Sequence, residues 1–159
     1  MRLMICAVGR LKAGPERDLV ARYAERLNAS GRSLALGPLE IVEIDESRAR
    51  RPEDRKAEEA GKLLAAAGQA QIVLLDENGP SLSSEAFAEK ITAWRDGGVP
   101  ALAFLIGGAD GHGEAAKAKA GLSLCFGKMT WPHQIVRILL AEQLYRAATI
   151  IAGHPYHRS

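Results

Sequence analysis

The residues best suited to chemistry lie close together in one segment, which runs from Gly127 to Gln134. The segment contains a lysine, a threonine, a tryptophan and a histidine, and it lies between an apolar run and a long helical pattern. Its histidine, His133, can accept or release a proton near neutral pH, because imidazole titrates in that range. Trp131 offers a flat ring in a loop that we expect to be half exposed. The same residues also suit an ordinary helix start, with Pro132 in the first turn and His133 capping or packing, so both interpretations stay open at this point.

The C-terminal residues form a second group with chemical potential. Residues 153–159 contain two of the four histidines, together with a tyrosine and an arginine. Rings that stack and cations that donate hydrogen bonds suit RNA bases and phosphates, so we expect a tail that contacts RNA or handles protons. A metal site is not expected, because neither cysteines nor carboxylates cluster with these histidines in the sequence. The residues concerned are His154, Tyr156, His157 and Arg158.

A long helix is predicted over residues 133–150, and its side chains are apolar on nearly every face. At about 100° per residue, the apolar positions spread around almost the whole circumference. A helix that is apolar all round is buried on several sides, and a domain of 159 residues rarely has room for a fully central helix. We therefore expect a homodimer in which this helix packs against a second copy of the chain. The apolar residues are Ile135, Val136, Ile138, Leu139, Leu140, Leu144 and Tyr145.

The same helix carries charged residues that need partners if they are buried. Glu142 and Arg146 are four positions apart and can pair with each other. Arg137 has no acidic residue at helical spacing. We therefore expect Arg137 to face an anionic ligand such as an RNA phosphate.

Strands and helices alternate along the chain. Runs that are apolar on both faces suit central strands of a parallel sheet with helices on each side. The sequence thus predicts an α/β fold with a mostly parallel sheet in one domain, residues 1–159. The predicted strands are Leu3–Val8, Leu39–Ile44, Ile72–Asp76, Ala101–Ile106 and Leu122–Phe126. The predicted helices cover approximately residues 15–27, 52–67, 114–120 and 133–150, and one more is capped by Ser83 or Ser84, runs through Trp94 and ends at Gly97–Gly98.

Three loops that each follow a predicted strand differ from ordinary connections. They comprise residues 75–80, 106–111 and 127–134. Open α/β sheets bind ligands at the carboxyl ends of their strands, where these loops lie. The glycines of the second loop let its backbone approach a ligand closely, although the phosphate-binding patterns of dinucleotide and ATP sites are not matched. Taken alone, the first loop is equally an ordinary Asn-Gly turn.

The composition is that of an ordinary globular protein. Hydrophobic residues make up 47% of the chain and charged residues 25%, and the formal net charge of +2 is too balanced to indicate nucleic acid binding. Cys6 and Cys125 lie in apolar runs and are expected to be reduced core thiols. The apolar stretch at residues 3–8 is too short for a signal or membrane segment, so we expect a cytoplasmic protein without membrane contact.

Five blocks, taken in order, resemble the ribosomal RNA large-subunit pseudouridine methyltransferases of the SPOUT superfamily. They are AVGRLK, VLLDENG, LIGGADG, SLCFGKMTWPHQIVRILLAEQLYRA and HPYHR. The resemblance extends over the whole chain, and the stretch from Lys128 to Arg146 is its most specific part. It implies a five-stranded sheet with a C-terminal trefoil knot, in which three loops bind S-adenosylmethionine. The residues it assigns to this cofactor are Leu75, Gly108, Gly127, Lys128, Met129, Thr130, Trp131 and Pro132.

The resemblance also implies an activity. The substrate would be a pseudouridine in helix 69 of 23S rRNA within the assembled 70S ribosome, methylated at N3. Because the sulfonium supplies an electrophilic methyl group, no metal or redox centre is required. His133 is then the best-placed base, and Tyr156 and His157, from the tail of the other protomer, compete for the same role. Arg137 and Arg158 would hold the phosphodiester backbone or stabilise negative charge on the base carbonyls.

Three alternatives stay open on the sequence. A non-enzymatic ribosome-binding dimer would share the fold and would have no need to bind the cofactor. A flavodoxin-like flavin or nucleotide protein would share the α/β alternation and the glycine loop, although its phosphate motif is missing. A methyltransferase of the same fold would act on another RNA.

Overall fold

The computed structural model describes residues 1–158, which contain one sheet of five parallel strands. The strands are β1 (Arg2–Val8), β2 (Leu39–Ile44), β3 (Gln71–Leu75), β4 (Ala101–Ile106) and β5 (Ala120–Leu124). The helices are α1 (Pro15–Gly31), α2 (Pro52–Ala67), α3 (Ser84–Asp96), α4 (Glu114–Lys119) and α5 (His133–Ile151), with a short 3-10 helix at Arg32–Leu34. The strand order is β2-β1-β4-β3-β5, and every neighbouring pair is parallel. The predicted α/β fold is confirmed.

Helices cover both faces of the sheet, which explains why its central strands are apolar at successive positions. Along β1, Leu3 and Ile5 belong to one core with residues of α1, α3 and α5. The alternate residues Met4 and Cys6 belong to a second core with residues of α2 and α4. Because successive side chains of a strand point to opposite faces, a strand between two helical layers needs apolar residues throughout.

Local signals account for the helix starts. Pro15 and Pro52 lie in the first turns of α1 and α2, where a missing N–H costs nothing, and acidic residues follow each proline. Ser83 caps α3 by accepting a hydrogen bond from the amide of Ala86 at 3.1 Å. The predicted starts of these helices therefore agree with the structure.

Two predicted strand ends were wrong. β5 covers Ala120–Leu124 and not Leu122–Phe126, and β3 ends at Leu75, one residue before the predicted Asp76. Cys125 lies beyond the end of β5, and its amide donates to the carbonyl of Pro80, in the loop after β3, at 3.0 Å. The apolar run therefore continues past β5 into the loops at this edge of the sheet. The trefoil knot implied by the resemblance stays a prediction.

The long helix α5 packs within its own chain. It contacts α1 along one side, α3 along another and β4 beneath, and residues such as Leu140 and Leu144 are buried in the core. Most of the apolar residues listed above for this helix are only half-buried within one chain, so α5 is not covered on all sides, and the homodimer stays a prediction. Ile135 and Leu139 are half-buried and lie outside both core clusters of the described residues.

Candidate functional site

A cavity of about 460 Å³ opens at the carboxyl ends of β3, β4 and β5. All three loops singled out in the sequence form its wall, together with the first turn of α5. This is the edge at which parallel α/β sheets bind ligands. The wall consists of Leu75–Asn78, Ile106–His112, Leu124–Gly127, Met129–His133, Val136, Lys56 and Lys117.

Hydrogen bonds join the loop after β3 to the end of β5. The amide of Asp76 donates to the carbonyl of Leu124, and the amide of Cys125 donates to the carbonyl of Pro80, both at 3.0 Å. A Cβ on Gly79 would lie 2.8 Å from the nitrogen of Leu124 and 2.9 Å from its Cα. Because these are main-chain atoms, only glycine fits at position 79 without a shift of the cavity wall.

Two charged residues of α2 restrain the glycine loop. The buried carboxylate of Glu59 accepts a hydrogen bond from the amide of Ser47 at 3.0 Å, and its other oxygen has no partner within residues 1–158. A Cβ on Gly108 would lie 2.8 Å from that oxygen. Arg55 donates to Asp110 at 2.6 and 3.0 Å and lowers the pKa of this carboxyl. The ion pair of Arg55 and Asp110 therefore holds the glycine loop against α2, and Glu59 leaves no room for a side chain at position 108.

His112 is a site residue that the sequence reasoning missed. It lines the cavity, is 7% exposed, and its Nε2 donates to the carbonyl of Leu75 at 3.0 Å. The ring thus joins the end of the glycine loop to the end of β3. Its Nδ1 is buried without a partner among the described residues, and burial lowers the pKa of the imidazole, which is neutral near pH 7. The available signal was a histidine placed directly after the glycine loop.

We expect His112 to lower the stability of the protein at mildly acidic pH. Because its pKa is lowered in the folded chain, the unfolded chain binds this proton more readily below the ordinary value of 6.5. The free energy of unfolding should therefore decrease as the pH falls through that value, by up to about 1.4 kcal/mol per pH unit. His112→Gln keeps a donor for the carbonyl of Leu75 but has no side chain that titrates. In this variant, the free energy of unfolding should therefore depend less steeply on pH. Urea unfolding between about pH 5 and pH 8 measures the pH dependence of stability in the wild type and in the variant. Equal pH dependence in the two proteins would contradict the expectation.

Seven of the eight residues that the resemblance assigns to the cofactor line the cavity. The exception is Lys128, which is exposed and lies outside the wall. Thr130 donates a hydrogen bond to Glu77 at 3.4 Å, so the third loop is tied to the first. Met129 and Trp131 are 76% and 43% exposed. Large apolar side chains therefore face solvent beside the cavity.

Arg137 was expected to face an anionic ligand, but it does not line the cavity and pairs with a carboxylate outside its own helix. Its side chain is 1% exposed and donates to Glu43 of β2 at 2.9 Å. It also donates to the carbonyls of Val8 and Gly9 at 2.6 and 2.8 Å. Helical spacing did not reveal Glu43 because it lies 94 positions earlier in the chain. A buried ion pair thus joins α5 to the carboxyl ends of β1 and β2.

The tail packs on its own chain, away from the cavity. Tyr156 donates to Glu142 at 3.0 Å, and the guanidinium carbon of Arg146 lies 4.9 Å from the centre of the Tyr156 ring. His157 Nε2 lies 2.7 Å from a carboxylate oxygen of Glu85. None of the tail residues within the described part of the chain lines the cavity. Burial and the Glu142 carboxylate raise the pKa of Tyr156 to about 12, so its phenolate is disfavoured as a base.

His133 is the predicted catalytic residue that the structure places in the cavity wall. It begins α5 and is half-buried. Arg158 is exposed and lies outside the wall. The predicted pair between Glu142 and Arg146 is confirmed. In a single chain, His133 thus lies at the cavity, Arg137 is buried against the ends of β1 and β2, and the tail residues do not line the cavity.

The two cysteines differ more than the sequence indicated. Cys6 is fully buried, as expected, and burial raises the pKa of its thiol to about 11. Cys125 is half-buried in the cavity wall, and its sulfur lies 3.1 Å from the hydroxyl of Ser81.

Within residues 1–158, His, Cys, Asp and Glu side chains form no group of three or more that is suited to a metal ion. No helix in this part of the chain is long and apolar enough to cross a membrane.

A parallel sheet with a loop-lined cavity at its carboxyl edge defines an α/β domain built to bind a small ligand. Comparison with known proteins shows to which family within this class the chain belongs. A family model described as "Predicted SPOUT methyltransferase" matches residues 1–157. The chain belongs to this family, and the resemblance seen in the sequence is confirmed.

Two relatives of similar sequence support the same placement. The chain is 60% identical over 161 residues to the ribosomal RNA large subunit methyltransferase H of Xanthobacter autotrophicus, with 100% of each chain covered. It is 54% identical over 160 residues to the protein of the same name from Rhodopseudomonas palustris, again with full coverage of both. The solved SpoU methyltransferase AviRb from Streptomyces viridochromogenes, in complex with the cofactor AdoMet, is similar with a TM-score of 0.44 and 13% identity. That alignment covers 96% of this chain and 59% of AviRb.

Proposed function

We propose that this chain transfers a methyl group from S-adenosylmethionine to N3 of a pseudouridine in helix 69 of 23S rRNA, within the assembled 70S ribosome. The observation that carries the proposal is the single cavity formed by three loops in a chain of the SPOUT methyltransferase family. The two relatives, each called a ribosomal RNA large subunit methyltransferase and each aligned over its full length, support the RNA substrate. The nucleotide and the N3 position follow from the sequence resemblance.

The cavity suits this methyl donor in size and chemistry. Its volume of about 460 Å³ is within the range of small-ligand pockets. Leu75, Ile106 and Val136 offer apolar wall for a flat adenine ring. Asp76 and Glu77 place carboxylates in the wall, which favours a ligand that carries a sulfonium and an ammonium. When bound, S-adenosylmethionine supplies an electrophilic methyl group on a positively charged sulfur.

His133 is our candidate for the base that takes the N3 proton of the acceptor. It lines the cavity at the start of α5, and histidine is the side chain that most often serves as a general base. Loss of this proton frees the lone pair on nitrogen that forms the new N–C bond. Arg158, which is exposed, stays our candidate for a contact to the phosphodiester backbone. Arg137 is reassigned to holding α5 in place, because its guanidinium is buried against Glu43.

We further propose that the chain is a homodimer and that each tail acts at the cavity of the other copy. Tyr156 is held at Glu142, which lies nine residues along α5 from His133, a rise of about 13 Å. The tail therefore does not reach its own cavity. Met129 and Trp131 expose apolar surface beside the cavity, and a second copy would bury it.

Methyl transfer from radiolabelled donor to 70S ribosomes that lack the modification tests the proposal. We expect the wild type, sedimenting as a dimer, to label one pseudouridine of 23S rRNA, as mapped by mass spectrometry. His133→Ala should reduce the rate by about 100-fold or more, the usual contribution of a general base. Gln134→Ala is the matched control, because this neighbour is exposed and lies outside the cavity wall. A wild type that binds ribosomes but transfers no methyl group would favour the non-enzymatic alternative instead.

A further inference from the structure

The first turn of α3 holds the C-terminal tail through one imidazole ring. His157 lies between two side chains of opposite charge. Its Nε2 is 2.7 Å from a carboxylate oxygen of Glu85, and its Nδ1 is 3.3 Å from a guanidinium nitrogen of Arg146. The side chain of His157 is 18% exposed, so most of the ring is closed off from solvent. Both ring nitrogens therefore have a partner within the chain.

These two partners determine which ring nitrogen carries the proton. A guanidinium has only N–H donors, so the contact with Arg146 requires a lone pair on Nδ1. An ionised carboxylate has only acceptors, so the contact with Glu85 requires a hydrogen on Nε2. Hydrogen bonds from its own amide, from His157 and from Ser83 lower the pKa of Glu85 to about 2, so this carboxylate is ionised at neutral pH. The neutral ring protonated on Nε2 is thus the form that satisfies both partners.

We infer that Glu85 is a positioning residue of the proposed reaction: through His157, it fixes the place and the protonation of the tail that acts at the cavity of the other copy. The inference rests on the proposed function, because it concerns what each tail brings to the neighbouring cavity. It assigns no proton transfer to His157, since Nδ1 can take up a proton only after its contact with Arg146 is broken. The tail then has a binding role, and His133 stays the candidate base.

The contact explains how a chain end can be placed accurately. The last residues of a domain are usually poorly ordered unless other parts of the fold hold them. Glu85 belongs to a helix that packs against α5, so it offers the tail a fixed point of attachment. A group that is already in place loses less conformational freedom when the substrate binds, and accurate placement contributes directly to the rate.

A second set of contacts joins the same turn of α3 to the carboxylate that pairs with Arg146. Ser84 donates to the carbonyl oxygen of Gln143 at 2.8 Å, and the amide of Gln143 donates to Glu142, also at 2.8 Å. Glu142 in turn accepts a hydrogen bond from Arg146. The first turn of α3 therefore supports the ion pair of Glu142 and Arg146 at its carboxylate as well as at its guanidinium.

Nitrogen NMR of protein that contains isotopically labelled histidine tests the inference without any methyl transfer. At neutral pH, we expect the Nε2 of His157 to carry a hydrogen and Nδ1 to show the chemical shift of a lone pair, with His157→Gln identifying the signals. In Glu85→Ala, the Nε2 hydrogen loses its acceptor, so its signal should weaken through exchange with water. Glu85→Gln should keep the signal, because its amide oxygen still accepts. A wild-type ring protonated on Nδ1 would overturn the inference.

Methyl transfer to ribosomes tests the consequence for the reaction. With saturating donor, Glu85→Ala should lower the rate by at least about tenfold, and Glu85→Gln should recover most of it. Affinity for S-adenosylhomocysteine, measured by calorimetry, should change by less than about twofold. In a His157→Ala background, Glu85→Ala should cause no further decrease, because Glu85 acts through that ring. Glu89→Ala is the matched control, since it removes the same charge from an exposed position one turn further along α3 and should keep the wild-type rate.

The outcomes separate the inference from the proposed function. Wild-type transfer in Glu85→Ala would overturn the inference, as would an equal loss of affinity for S-adenosylhomocysteine or a further decrease in the His157→Ala background. Failure of the proposed function looks different, because the wild type itself would then label no rRNA while the NMR signals of His157 stayed as expected.

Discussion

Replacement of Gly79 by alanine is expected to open the candidate donor cavity. The new Cβ would lie 2.8 Å from the nitrogen of Leu124 and 3.0 Å from its carbonyl carbon, so the loop after β3 and the end of β5 must move apart. The hydrogen bonds of Asp76 and Cys125 across this junction would weaken. We expect donor affinity to fall by at least about tenfold and the free energy of unfolding to fall by about 1–3 kcal/mol, as in other overpacked sites. Calorimetry with S-adenosylhomocysteine and urea unfolding measure the two effects.

Gly61→Ala provides the matched control for this substitution. Gly61 is exposed within α2, and a Cβ there would meet nothing within 4 Å. Alanine should therefore stabilise the helix by about 0.5–1 kcal/mol and leave donor affinity unchanged. Wild-type donor affinity in Gly79→Ala would show that the loop after β3 is not part of the binding site.

Glu43→Gln is expected to cause a large loss of stability at a position away from the cavity. Arg137 is 1% exposed, and Glu43 is its only acidic partner in the described chain. Glutamine keeps an oxygen that can accept a hydrogen bond, but the buried guanidinium then has no anionic partner among the described residues. Breaking a buried pair from one side typically costs about 3–5 kcal/mol, so we expect a decrease of roughly 3 kcal/mol in the free energy of unfolding.

Two further variants show whether stability is lost because a buried charge is left unpaired or because any charge is removed. Arg137→Met combined with Glu43→Gln should recover part of the lost stability, because no unpaired charge is left inside. Arg10→Met breaks an ion pair with Asp45 in which both side chains are largely exposed, and it should cause no resolved change. Equal stability of Glu43→Gln and the wild type would contradict the structural role assigned to Arg137.

Most of the fold was predictable because its signals are local. Apolar runs such as Leu3–Val8 reflect strands covered on both faces, and Pro15, Pro52 and Ser83 mark helix starts by their own chemistry. The strand ends were less predictable. Apolar residues continue past β5 because they line cavities instead of pairing in the sheet.

The features that sequence reasoning missed depend on contacts between distant parts of the chain. Arg137 was assigned to a ligand because its partner Glu43 lies on β2, out of reach of any helical spacing rule. His112 was missed because its role depends on the carbonyl of Leu75, 37 positions away. The packing of α5 against α1 and α3 likewise could not be read from the sequence, and because it leaves several apolar side chains of α5 half-buried, the dimer stays a prediction.

A crystal structure grown with S-adenosylhomocysteine is the most direct test of the central claim, that one cavity formed by the loops after β3, β4 and β5 binds the methyl donor. We expect the ligand to contact all three loops. A ligand bound at another surface, or one that touches a single loop only, would contradict this claim.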